Sequence, residues 1–122
     1  MPFEIKNGVL RNYREEPGVT EVVIPDGVTR IGDGAFRDCE NLTSITIPES
    51  VVKIDYSAFA FCYRLTSITI PAGVTRIEKY TFHCCMNLTD VVIPEGVTSV
   101  GKLAFACCHE LTMARMSSRS FH

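Results

Sequence analysis

A period of 23 residues runs through this chain and constrains its fold more than any other feature. Proline recurs at Pro25, Pro48, Pro71 and Pro94, phenylalanine at Phe36, Phe59, Phe82 and Phe105, and cysteine at Cys39, Cys62, Cys85 and Cys108. Leu42, Leu65, Leu88 and Leu111 keep the same step, as do Val22, Ile45, Ile68 and Val91. No insertion breaks the register. A fixed period of this length marks stacked units, each too small to close a core alone, so the stability of the array resides in contacts between neighbours.

Residues 42–64, LTSITIPESVVKIDYSAFAFCYR, serve as the type unit. Ile45-Thr46-Ile47 alternates apolar and polar side chains as a half-buried strand does, with Ile45 and Ile47 facing inward. Pro48 removes a backbone donor at the strand's end, and proline with glycine two places on (Pro25/Gly27, Pro71/Gly73, Pro94/Gly96) has the composition of a tight turn. Val51 and Ile54 supply inward side chains on a second short extended piece. Ala58, Phe59 and Cys62 then fall at helical spacing, which predicts a brief helical turn.

The repeats divide as 19–41, 42–64, 65–87 and 88–110. Before them, Phe3-Glu4-Ile5-Lys6 and Val9-Leu10-Arg11-Asn12-Tyr13 flank Asn7-Gly8, a strong hairpin signal, so residues 1–18 are expected to form an N-terminal cap with its hairpin over 3–13. After them, residues 111–117 keep the register of LTSITIP without its isoleucines and proline, a degraded fifth strand closing a solenoid that runs from 19 to 117. Residues 118–122 are expected to fray, leaving a sheet edge on which a second copy of the chain could pair as a homodimer.

The pattern LTxIxIPxGVTxIxxxAFxxCxx, in four copies, resembles the BspA-like, or treponemal-type, leucine-rich repeat. The resemblance covers residues 19 to about 117, with Thr81 in place of the usual alanine, and the hairpin is similar to caps that precede such arrays. It implies a curved, β-rich leucine-rich-repeat solenoid of short parallel strands and short helical turns behind an N-terminal β-hairpin cap. It further implies a mostly bacterial class of proteins, many surface-exposed, associated with adhesion and the binding of host or matrix proteins, and not an enzyme. Members acting at the surface normally carry a secretion signal and longer arrays.

Composition narrows the partners. Twelve basic and 14 acidic side chains leave a net charge of −2, too weak a field to gather nucleic acid or anionic lipid. The first residues lack the basic start and apolar run of a secretory signal, and no stretch reaches transmembrane length. As written the chain is expected in the cytoplasm; as a mature form or a fragment, it belongs at the cell surface or outside.

Outward residues of the first strands form two columns, Glu21, Ser44, Ser67 and Asp90 in one and Val23, Thr46, Thr69 and Val92 in the other. This concave ladder is the expected binding surface for a protein partner, since strands of a sheet lie about 4.8 Å apart and present side chains at that spacing. A solvated sheet face on a structural repeat segment without a dedicated ligand is the alternative. A column of Arg30, Lys53 and Arg76 ends at Ser99 and is read as a solvated edge balanced by Asp26, Glu49 and Glu95 at the nearby turn, not as a phosphate site.

Cys39, Cys62, Cys85 and Cys108 occupy an inward position where a thiol serves as a small hydrophobe. Cys84 and Cys107 are extra. They replace Asp38 and Phe61 one repeat apart, within His83-Cys84-Cys85 and Cys107-Cys108-His109. Equivalent residues of adjacent repeats lie within disulfide reach, and thiolates with imidazole bind zinc. Neither pair has CxxC spacing, and a cytosolic chain is kept reduced, so no metal or cofactor is assigned and a metal or redox role stays as an alternative. No catalytic motif is present: His83, His109 and His122 lack spaced partners, and Gly32-Asp33-Gly34 is a loop whose positions other repeats fill with Asp55, Ser57 or Tyr80. The reading is therefore a non-catalytic protein-interaction module, adhesin-like through its resemblance.

Overall fold

The computed structural model describes residues 2–111 and the backbone of 113–116. The chain opens with a hairpin, β1 (Phe3–Lys6) and β2 (Val9–Tyr13). Asn7 and Gly8 turn it with φ of 52° and 77°, the left-handed pair that a two-residue hairpin of matching twist needs. Each repeat then contributes two short strands: β3 (Glu21–Val23) and β4 (Arg30–Ile31), β5 (Ser44–Thr46) and β6 (Lys53–Ile54), β7 (Ser67–Thr69) and β8 (Arg76–Ile77), β9 (Asp90–Ile93) and β10 (Ser99–Val100). β11 (Met113–Met116) follows.

The first strands stack as a parallel sheet in the order β11-β9-β7-β5-β3. Glu21 lies opposite Ser44, Ser44 opposite Ser67 and Ser67 opposite Asp90, so one repeat advances one strand. Met113 pairs opposite Asp90, and the fading fifth strand thus holds the register despite its altered side chains. Backbone bonding needs only an extended segment at the correct step. The second strands form β1-β2-β4-β6 and, separately, β8-β10. The hairpin docks by β2, Val9 opposite Arg30 and Leu10 opposite Ile31, which covers the open side of the first repeat as a cap should. The expected frayed tail, 118–122, lies outside the described residues.

No helical turn forms where Ala58, Phe59 and Cys62 predict one. Two positions per repeat adopt left-handed backbone: Gly34, Ser57, Tyr80 and Leu103 at φ of 57–62°, and Asp38, Phe61, Cys84 and Cys107 at 57–64°. Between them the N–H groups alternate in destination. In the first repeat Ala35, Arg37 and Cys39 close local bonds to the carbonyls of Gly32, Gly34 and Phe36, whereas Gly34, Phe36 and Asp38 donate across to Tyr56, Ala58 and Ala60 of the next repeat. An α-helix returns every donor to its own chain four residues back. Here half of the donors bind the neighbouring repeat, and the segment is a run of turns whose free groups are satisfied by stacking. The apolar spacing of a helix survives because alternate turns also bring Ala58, Phe59 and Cys62 to the inside.

The core is a set of columns. Phe36, Phe59 and Phe82 are fully buried, and their rings stack with centroids 5.3 and 5.5 Å apart, continuing to Phe105 at 5.3 Å. Tyr13 of the hairpin extends the column, stacked 5.2 Å from Phe36. Thiols form a second column: Cys62, Cys85 and Cys108 donate their S–H to the carbonyls of Phe36, Phe59 and Phe82 at 3.2, 3.1 and 3.1 Å. Cysteine therefore supplies both a small apolar volume and a weak donor that ties one repeat to the preceding one. Thr81, the substitute for alanine, is also buried, and its hydroxyl donates to the Glu78 carbonyl at 2.8 Å, so the change adds no unsatisfied group.

Two outcomes test this account by chemical denaturation. Phe59→Ala, in mid-column, should lose about 3–5 kcal/mol, and Phe105→Ala, half-buried at the column's end, distinctly less; equal losses would contradict a stacked column. The Tyr13 hydroxyl is buried without a hydrogen-bond partner among the described residues, and burial pushes its phenol above the ordinary value. Tyr13→Phe should accordingly raise the unfolding free energy by about 1 kcal/mol.

Candidate interaction surface

The expected columns assemble on the outer face of the first sheet. Glu21, Ser44, Ser67 and Asp90 stand in register, and beside them Val23 faces Thr46 while Thr69 faces Val92. Glu21, Val23, Thr46, Ser67 and Thr69 are exposed, whereas Ser44, Asp90 and Val92 are half-buried. Val23, at 68% exposure, is the most open large apolar residue among the described residues. Alternation explains the display: Ile45, Ile68 and Val91 between the columns are buried and lock the strands onto the core.

A third column just before the strands was not singled out in the sequence. Thr43, Thr66 and Thr89 each donate a hydroxyl to the carbonyl of the threonine one repeat earlier, Thr20, Thr43 and Thr66, at 3.2, 3.3 and 3.1 Å. The signal was the threonine recurring in every LT pair. This zip fixes the spacing of the face without consuming the outward hydroxyls of Thr46 and Thr69. The result is a strip of hydroxyls and valines on a backbone tied from repeat to repeat, with the carboxylates Glu21 and Asp90 at its two ends. β11 forms the outer end of this sheet, the edge on which a second copy was expected to pair.

The cationic column lies over the second strands, with Arg30 opposite Lys53. Its compensation differs from expectation. Asp55 and Glu78, both 7% exposed, stand against the cations in place of Asp26, Glu49 and Glu95. Arg30 Nε meets Asp55 Oδ2 at 2.7 Å, and this hydrogen bond with the carboxylate raises the guanidinium pKa further. Arg76 Nε lies 3.7 Å from Glu78 Oε2. Glu49 instead accepts from the Ala72 N–H at 3.5 Å. The loop position that follows the second strand carries the acids inward beside the cations, while the turn acids project away. A groove of about 270 Å³ results, lined by interleaved cations and carboxylates, and it offers no uncompensated positive field for a phosphate.

The cysteine neighbourhood separates into two sets. Cys39, Cys62 and Cys85 are buried and Cys108 is half-buried. Burial pushes the Cys39 thiol up to about 12 and the Cys108 thiol to about 11, and the hydrogen bond with Cys85, followed by burial, drives Cys62 well above its ordinary value. Cys84 and Cys107, at left-handed positions, point outward. The fold brings His83, Cys84 and Cys107 together, their ligating atoms all within 4.8 Å of one another. Cys85 and Cys108 turn into the core, and His109 stays outside the cluster.

Such an architecture defines a β-solenoid of stacked repeats that exposes a parallel strand ladder. The chain belongs to the BspA type leucine rich repeat family, whose six-copy repeat region matches residues 11–121. It is similar to a leucine rich cell surface protein from Faecalibacterium prausnitzii, with 32% identity and a TM-score of 0.67 over 96% of this chain and 38% of that one. A leucine-rich repeat protein from Bacteroides capillosus shares 28% identity with a TM-score of 0.81, covering 95% of this chain and 93% of the other. The pneumococcal vaccine antigen PcpA, 21% identical with a TM-score of 0.84 over 93% of this chain and 28% of its own, shares the fold. This chain thus spans well under half of the Faecalibacterium and pneumococcal proteins. Curated proteins yield no match. No helix among the described residues is long and apolar enough to cross a membrane.

The thiol environments predict an order of reactivity, because the thiolate is the nucleophile and a raised pKa withholds it. With iodoacetamide at pH 8, Cys39 and Cys108 lie below their pKa values of about 12 and 11 and should remain unmodified in the folded protein. Exposed Cys107 should react first. Peptide mass mapping reads the order, and rapid labelling of Cys39 would show that the thiol column is open.

Proposed function

We propose that the chain is a non-catalytic protein-interaction module of adhesin-like type, which binds an extended segment of a partner protein along the exposed strand ladder. One observation carries this reading: Thr46 and Thr69 are exposed at consecutive rungs of a sheet whose backbone is fixed by inward isoleucines and the threonine zip. A rigid face loses little conformational entropy on binding, so contacts from small side chains convert into affinity more fully than on a mobile loop. Val23 adds an apolar anchor at one end of the strip, and half-buried Val92 adds a second toward the other.

A cell-surface setting is part of the proposal. It is supported by the description of the Faecalibacterium relative as a cell surface protein. Because this chain covers 38% of that protein, any activity of a longer array is proposed here only for the ladder these repeats carry. Host or matrix proteins are the partner class that the family resemblance suggests, and their extended segments fit a strip of hydroxyls.

Surface plasmon resonance against a panel of purified extracellular-matrix proteins tests the reading. Wild-type protein should bind at least one of them, and the double change Thr46→Arg with Thr69→Arg should weaken that binding about tenfold or more, the equivalent of roughly 1.4 kcal/mol. Lys102→Ala, on an exposed turn residue away from the ladder, should leave it unchanged. Equal binding by wild type and the double variant would overturn the site, and absence of binding to every member would overturn the adhesin-like reading.

A further inference from the structure

Cys84 and Cys107 depart from the repeat in a way that the core does not explain. The inward thiols Cys62, Cys85 and Cys108 each donate to a phenylalanine carbonyl. The two extra cysteines instead occupy one left-handed position in adjacent repeats, φ 57° and 63°. The Cys84 N–H donates to the Ala106 carbonyl at 2.8 Å, which holds the two segments side by side and directs both side chains outward along one edge. In the earlier repeats Asp38 and Phe61 fill this position, so a paired-thiol edge occurs only where the third repeat meets the fourth.

An imidazole completes the group. Cys84 Sγ lies 3.8 Å from His83 Nε2. The ring is held edge-on between Phe61, at 5.3 Å and 77°, and Tyr80, at 5.5 Å and 73°. Those two aromatics limit the ring's rotation and shield one flank from water. We propose that His83, Cys84 and Cys107 form a zinc site of two thiolates and one imidazole, with its fourth position open to solvent.

The dimensions suit the ion. Zinc bonds sulfur at about 2.3 Å and imidazole nitrogen at about 2.0–2.1 Å, so a tetrahedral site separates its donors by about 3.5–3.8 Å. The Cys84–His83 separation already has this value, and the three donor atoms, all within 4.8 Å, need to close by no more than about 1.3 Å. Rotation of exposed Cys107 about its Cα–Cβ bond supplies such a movement. Zinc binds the thiolates, so one dication replaces both thiol protons. Binding therefore releases a proton from each thiol and strengthens as pH rises. The site lies on the turn edge, away from the strand ladder, and does not depend on the interaction proposed for that face.

The test uses the full chain, reduced and stripped of metal, titrated with Co²⁺ as a spectroscopic stand-in and then with Zn²⁺. A thiolate-to-cobalt charge-transfer band should saturate at one ion per chain and bleach on addition of zinc. Cys84→Ser, Cys107→Ser and His83→Ala should each weaken binding by about tenfold or more, while His109→Ala leaves it unchanged. Circular dichroism identifies any variant that fails to fold. Should Cys84→Ser be one, protection of wild-type Cys84 and Cys107 from alkylation by zinc decides the matter. Absence of the band in wild type, its persistence in the Cys84→Ser/Cys107→Ser double variant, or conversion of the pair to a disulfide in zinc-equilibrated protein would overturn the assignment.

Discussion

Everything in this solenoid depends on backbone groups that each repeat leaves unsatisfied. In the turn segments alternate N–H groups point away from their own repeat and find carbonyls in the next, as Phe36 does with Ala58 and Phe59 with Thr81. A repeat taken alone would expose those donors together with one face of each phenylalanine. Stacking satisfies both at once, and neither the polar nor the apolar contribution is available without the other. The conformational consequence is the left-handed residue at two places in every repeat, tolerated even for Tyr80 and Leu103. Such residues are disfavoured by about 1–2 kcal/mol relative to right-handed backbone, so the inter-repeat bonds must outweigh them.

This dependence sets what could be read from the sequence. Period, strand positions and the inward columns were legible because each is a property of side chains at fixed intervals. Ile45, Phe59 and Cys62 announce their burial, and Asn7-Gly8 announces its turn. The segment after Ile54 was misread as helical for a physical reason: alternation between local and inter-repeat donors is a property of two repeats together, and the side-chain spacing of Ala58, Phe59 and Cys62 is the same in either conformation. Glycine at position 34 was the one local sign of left-handed backbone, and serine, tyrosine and leucine conceal it at the three equivalent places.

The polar residues follow the same division. Strand alternation alone predicts which columns face outward, and Thr46 and Thr69 do so. Ion pairing depends on where a loop carries its side chains, and Asp55 could be matched to Arg30, 25 residues earlier, only once the second strands were in register. Cys84 and Cys107 were visible as a break in the period, yet the sequence did not distinguish which histidine accompanied them. His83 does so because it precedes Cys84 on the turn and leans against Phe61 of the preceding repeat, whereas His109 lies beyond the turn.

A solenoid built this way separates its roles by direction. Residues inside the coil are fixed by the column above and below, so a change there propagates to neighbouring repeats; the Phe36–Phe59–Phe82 stack and the thiol bonds leave little freedom. Outward positions at the strands and turns have no such constraint, and the same backbone can carry Asp38, Phe61 or a cysteine at one turn position without altering its φ by more than a few degrees. Chemistry can therefore be placed on one repeat boundary without disturbing the strand register of the ladder on another face. In this chain the hydroxyl strip and the thiol edge occupy different faces, held in position by the same hydrogen bonds between repeats.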